Sequence, residues 1–176
     1  RQNTFNETRF RWNMTKVFHW DVSYKNGKKS FTSEFLDARN YSIFYFETEP
    51  QLSYQPNTAF RVTLSYKYTD KQNAFLYGNQ KSILQNYGLD VKYNILQTGS
   101  LNAKANLIEV TYNDLQNTAL AFEMLDAFQI GQNITWGLNY QRNLSNNMQV
   151  SITYDGRKSE TSKAIHVGGA QVRAYF

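Results

Sequence analysis

Polarity alternating with a period of two, sustained for about ten residues at a time, recurs along this chain, and few folds accommodate it. In TAFRVTLSYKYT, Phe60, Val62, Leu64, Tyr66 and Tyr68 alternate with Arg61, Thr63, Ser65 and Lys67. In MQVSITYD, Met148, Val150, Ile152 and Tyr154 alternate with Gln149, Ser151, Thr153 and Asp155. An extended strand sends alternate side chains to opposite faces, so each run predicts a ribbon with one apolar and one polar side. Helical spacing occurs only in NDLQNTALAFEMLDAFQIGQN, at Ala121, Leu125 and Phe128. The chain reads as all-β, with about 8–10 antiparallel strands in an up-and-down order.

The other runs follow the same rule. Phe10, Trp12 and Met14 oppose Glu7, Arg9, Arg11 and Asn13; Phe18, Trp20, Val22 and Tyr24 oppose His19, Asp21, Ser23 and Lys25. Phe44, Phe46, Leu52 and Tyr54 oppose Glu47, Glu49, Gln51 and Ser53, with Pro50 predicting a bulge or a break in the ladder. Tyr87, Leu89, Val91, Tyr93 and Ile95 oppose Gly88, Asp90, Lys92 and Asn94. In LNAKANLIEVTYN the phase slips: Leu101, Ala103 and Ala105 share one parity, while Ile108, Val110 and Tyr112 share the other. A bulge near Asn106 would reconcile them. Ile134, Trp136, Leu138 and Tyr140 form the next apolar set, and Ala170, Val172, Ala174 and Phe176 the last. Short turns are expected after Met14, Tyr54, Leu96 and Asn143, and long links after Tyr24, Thr69, Asn113 and Asp155.

Composition narrows the class. The 176 residues suit one domain, residues 1–176, able to bury a sizeable core. Mean hydropathy is −0.63, and no run of about 18 apolar residues exists, which excludes a membrane-spanning helix but not a barrel of alternating strands. With no Cys, disulfides, thiolate catalysis and Cys-ligated metals are excluded. The net charge of +5 is spread along the chain; Lys25, Lys28 and Lys29 form the only cluster, so nucleic-acid binding is not expected. No cofactor is expected, and two His without Cys make a dedicated metal site an unfavoured reading.

Three features favour a transmembrane β-barrel over a soluble sheet with its polar face to solvent. The runs are about ten residues long, enough for a tilted strand to cross a bilayer. Aromatic residues on the apolar face recur at both strand ends: Trp12, Phe18, Tyr54, Phe60, Tyr93 and Tyr140 near the short turns, and Tyr24, Phe44, Tyr68, Tyr87, Tyr112, Trp136 and Tyr154 toward the long links, with Trp20 between. Two such rings suit the two lipid–water interfaces. The third feature is the alternation of short and long connections. The opposite face carries Arg9, Arg11, His19, Asp21, Glu47, Glu49, Arg61, Lys67, Asp90, Lys92, Asp155 and Arg173, with Glu7 and Glu109. So many charges suit a wet lumen rather than a dry core.

About nine strands can be counted, and the first and the last would then run in the same sense. An antiparallel barrel avoids such a parallel seam by using an even number. The chain opens on Arg1, with neither Met nor a charged-then-apolar leader. Either upstream sequence supplies further strands or Arg1 to Met14 lies outside the wall; the first is the expectation, which makes the chain the C-terminal part of a longer barrel protein.

The stretch from Phe122 onward resembles the C-terminal end of large outer-membrane β-barrel proteins of Bacteroidota. The likeness rests on NLSNNMQVSITYDGRKS, the following AIH and the closing QVRAYF, and extends more weakly back to Asn6. It implies an outer-membrane location in a Gram-negative cell, and insertion by the barrel-assembly machinery, which reads a terminal strand like Val172, Ala174 and Phe176. Most members lack an assigned activity; some large barrels of that phylum serve secretion and gliding complexes.

Candidate chemistry is sparse. His19 and Asp21 share a face two residues apart, where a His–Asp pair could activate water. A lumen ion pair is the plainer reading. Glu47 and Glu49 could pair with Arg9, Arg11 or Arg61 across the lumen, or form a charge-selective constriction. The first expectation is a non-enzymatic membrane anchor or structural component of an envelope complex, in contact with lipid and with other envelope proteins. A small-solute channel and a hydrolase using His19 and Asp21 are the alternatives.

Overall fold

Each alternating run becomes a strand, and each strand pairs with its neighbour in sequence. The computed structural model describes residues 1–35, 39–95, 98–145 and 147–174. Its strands are β1 (Gln2–Asn13), β2 (Phe18–Phe31), β3 (Tyr41–Tyr54), β4 (Phe60–Asn73), β5 (Lys81–Ile95), β6 (Gly99–Tyr112), β7 (Gly131–Ser145), β8 (Met148–Ser159) and β9 (Ile165–Ala174). A 3-10 turn at Phe75–Tyr77 and one short helix, α1 (Ala119–Leu125), lie in the links. The nine strands form one antiparallel sheet in the order β1 to β9. The sheet is open: β1 pairs only with β2, and β9 only with β8.

Local chemistry sets the turns at one end. Thr15 Oγ1 accepts from the backbone N–H groups of Val17 (3.2 Å) and Phe18 (3.0 Å), holding link 14–17. Asn57 Oδ1 accepts from those of Ala59 (2.9 Å) and Phe60 (2.8 Å) in link 55–59. Short polar side chains that bond the backbone ahead of them stabilise tight reversals. At the other end lie links 32–40, 74–80, 113–130 and 160–164. These are shorter than expected because the strands run on. β2 continues past Tyr24 to Phe31, and β8 past Asp155 to Ser159. Backbone pairing needs no apolar side chain, and aromatic faces take up the charges there: the Lys28 ammonium lies 5.2 Å from the centre of the Phe44 ring.

Two irregularities were anticipated, and one occurs. At Pro50, which has no N–H to donate, the β3–β4 pairing skips Glu49 and Pro50 and resumes in the same register. No bulge occurs at Asn106: the β5–β6 pairing runs unbroken from Ser82–Tyr112 to Ile95–Gly99. A register shift lies instead between Asn143 and Ser145 in the β7–β8 hairpin.

The strands are also staggered. A row of directly paired residues starts at Trp12, beside link 14–17, and passes through Leu52, Leu89 and Trp136. It ends at His166, beside link 160–164. Strand direction is therefore tilted against the line of the turns, and a consistent stagger of this kind accompanies curling into a barrel. β1 and β9 both run from the long-link end toward the short-turn end.

Candidate functional site

Register decides which side chains share a face, because directly opposed residues point the same way. Trp12, Phe18, Trp20, Tyr24, Phe44, Tyr54, Phe60, Tyr68, Tyr87, Tyr93, Trp136, Tyr140 and Tyr154 fall on one side, here called outer. Val172 and Ala174 join them through β8; Phe176 lies outside the described residues. Among the described residues no element covers this face. Phe10 is 62% exposed, Trp12 56%, Leu64 54% and Val172 63%, far beyond the isolated apolar residues of an ordinary surface. All three Trp of the chain are on it.

On β4 and β6 the outer apolar set ends before the strand does, whereas on β3 and β5 Phe44 and Ile83 stay on the outer face, opposite Gln72 and Asp70. On β4, Phe60 to Tyr68 gives way to Asp70 and Gln72; on β6, Leu107 gives way to Glu109 and Thr111. Asp70 pairs with Lys81 at 3.2 Å, and Glu109 accepts from Gln132 Nε2 at 3.5 Å. Glu109 thus belongs to the outer face and not to the charged one, since no bulge shifts its parity.

The other face, the inner one, holds Arg9, Arg11, His19, Asp21, Glu47, Glu49, Arg61, Lys67, Asp90, Lys92, Asp155 and Arg173. Their partners differ from those expected. Arg9 pairs with Glu7 (2.6 Å), Arg11 with Asp21 (2.5 Å), Lys67 with Glu47 (3.2 Å) and Lys104 with Asp90 (3.6 Å). Glu49 accepts from Gln51 on its own strand (2.7 Å), and Arg61 donates to Gln55 (2.7 and 3.0 Å). Charges thus pair within a strand or between adjacent strands, Arg11 with Asp21 and Lys104 with Asp90 directly opposed. His19 bonds Asn13 (2.8 Å) while Asp21 is held by Arg11, so each member of the suggested pair has a different partner. Arg61 and Lys92 oppose each other without an acid between them, beside a polar recess of about 410 Å³ that Arg11, Asp21 and Asp90 also line.

Toward the long links the inner face changes character. Tyr41, Ile43, Tyr45, Leu84, Ile108 and Val110 are inner residues, and all are buried. α1 covers them. Its Ala121, Met124 and Leu125 are buried against two clusters built on Leu84, Ile108 and Val110 and on Tyr41 and Ile43. Tyr112, expected among the outward aromatics, packs against both clusters and lies opposite Ser82 on the inner side. Its hydroxyl is buried without a hydrogen-bond partner, and that burial, with Asp114 adding to it, raises its pKa above the usual tyrosine value. The phase slip of β6 is therefore a change of surroundings along a regular strand.

Buried polar side chains of the strands hold this arrangement. Thr118 caps α1 by accepting from the Ala121 N–H at 3.0 Å. Lys71, with 3% of its side chain exposed, donates to Asp126 (2.6 Å) and to the Glu123 carbonyl (3.2 Å). Desolvation lowers the Lys71 pKa, and Asp126 works against that shift. Ser82, paired directly with Lys71, donates to the Met124 carbonyl at 2.9 Å. Asn133 donates to the Gln129 carbonyl at 2.7 Å. Of the last helical carbonyls, Glu123 and Met124 are met by the wall, and Phe122 and Leu125 accept from the N–H groups of the turn that follows. The sequence signal for this was the lone helical spacing at Ala121, Leu125 and Phe128; Lys71 and Ser82 carried none.

Among the described residues no group of three or more His, Asp or Glu side chains is placed to hold a metal ion. Among the described residues no helix is long and apolar enough to cross a membrane, which has no bearing on crossing by strands. No protein-family model matches the chain, and no curated protein is similar enough to count as a relative.

Proposed function

We propose that this chain is a wall segment of a transmembrane β-barrel in the outer membrane of a Gram-negative cell, and that it anchors a larger envelope assembly there. The observation that carries this reading is the reversal of polarity along single strands. On β6 the apolar residues Leu101 to Leu107 face outward, and beyond them Ile108, Val110 and Tyr112 face inward, under α1; on β4 the outward apolar set Phe60 to Tyr68 ends at Asp70. Water on both sides of a sheet gives no reason for an apolar outer band that ends on β4 and β6 while the strands go on pairing. Lipid around the lower part and water around the upper part does. Phe60 to Tyr68 covers about 27 Å of strand, or about 20 Å of height at a tilt near 40°, comparable to the apolar band of known barrels. The stagger of the strands and the paired charges of the inner face fit a closed, wet lumen.

Closing that lumen requires more than this sheet. β1 and β9 run in the same sense, so an antiparallel wall needs an odd number of further strands between them. A second copy in the same orientation meets the same mismatch. The resemblance at the C-terminal end supports insertion by the barrel-assembly machinery and contact with other envelope proteins. The recess beside Arg61 and Lys92 favours a small-solute channel as the second reading.

Trp12, Trp20 and Trp136 make a test that needs no substitution. In reconstituted vesicles their emission should be blue-shifted, and brominated lipids should quench it while iodide does not. Iodide quenching with indifference to bromolipid would show water against the outer face and sink the proposal.

A further inference from the structure

The link between β6 and β7 does more than join them. Long surface links ordinarily run over water and leave their backbone to it. Residues 113–130 instead turn inward and lay α1 on the inner face of the sheet, with Ala121 and Met124 fully buried. The strands contain side chains whose placement has no other visible use. Lys71 and Ser82 sit side by side on the inner wall, buried, where apolar residues would pack at lower desolvation cost. Both bond the carbonyl end of α1, Lys71 through Glu123 and Ser82 through Met124, and Lys71 also holds Asp126. Asn133 clasps the returning chain at Gln129. Asp126 and Ala127 take positive φ of 51° and 64° to make the turn that brings Phe128 back to the wall. Five strands, β3 to β7, supply the two clusters and three clasps that hold this link.

We propose that residues 113–130 are a built-in plug: α1 narrows the lumen at its long-link end and closes it to small solutes. The inference rests on the barrel reading, and it makes the module an anchor with a blocked lumen rather than an open pore. Lys71, Ser82 and Asn133 are positioning residues that keep the plug seated. The polar recess around Arg61 and Lys92 lies below it, toward the short turns.

The test uses the intact protein in planar bilayers and two variants. In one, residues 116–128 are replaced by a short Gly–Ser link; the other is K71M, which keeps the wall packed while removing the clasp. Bromolipid quenching of tryptophan on the same samples reports whether the wall sits in lipid. The parent should be silent, the loop replacement should show steady single-channel steps, and K71M should open intermittently. Equal conductance in parent and loop replacement, or silence in both, with quenching intact, overturns the plug and leaves the barrel standing. Loss of quenching in the parent overturns the barrel reading, and the plug falls with it. Should the loop replacement fail to insert, K71M decides: openings absent from the parent support the plug, and unchanged silence with quenching intact overturns it.

Discussion

Tyr112 carries the sharpest contrast between the two environments in this molecule. At a lipid–water boundary a tyrosine hydroxyl bonds water or headgroups, and its removal costs stability. In the α1 cluster the same hydroxyl is buried and unpartnered, and an unpartnered polar group is a standing cost. Tyr112→Phe should therefore be neutral or stabilising by up to about 1 kcal/mol, as a denaturant midpoint in detergent would report. A clear loss of stability would put Tyr112 back on the outer face. Gly156 makes a second case. Any Cβ there would overlap the Trp136 indole, which lies flat over the glycine beside His166. Gly156→Ala should displace that ring and cost about 1–3 kcal/mol. With Trp12 and Trp20 replaced by Phe, a shift in the remaining tryptophan emission checks it.

At the scale of the strand, β4 reads as two successive environments. Leu64 is in the outer band and Thr63 faces the inner side opposite Asp90. An arginine at the middle of a lipid-facing band costs about 2–4 kcal/mol, whereas one facing a wet lumen costs little. Leu64→Arg should lower the folding midpoint in lipid strongly, and Thr63→Arg only slightly. Similar losses at both positions would contradict a lipid-facing band. The same change of environment explains which part of each element could be read beforehand. Alternation located the middle of every strand, because there one side is uniformly apolar. It stopped short at Tyr24, Thr69 and Asp155, because the outer residues that follow are polar while the backbone goes on pairing. In β6 the inversion after Leu107 imitates a bulge, and no pattern within the strand separates a shifted register from a change of surroundings.

For the whole molecule, the edges set the arithmetic. β1 and β9 are the free edges of the sheet and parallel in sense. Direct closure of one on the other should not occur. The chain has no native Cys, so introduced pairs report cleanly. A pair at Val150 and Val172, directly opposed across β8 and β9, should cross-link. Phe10 combined with Ala170, Val172 or Ala174 should not, and a disulfide in any of those combinations would mean that nine strands close by themselves.

The sequence by itself determined the all-β, up-and-down antiparallel class, the order of the strands and the face of most mid-strand aromatics and charges, Tyr112 and Glu109 excepted. Those properties follow from local periodicity and from short connections between neighbours. Only the tertiary structure decided where the apolar residues turn from outward to inward, which partner each charge takes, and that Lys71, Ser82 and Asn133 clasp a helix. Each of those depends on residues far apart in the chain that meet only after the strands are in register. Register itself comes from summed pairings along the whole sheet, so no single stretch contains it.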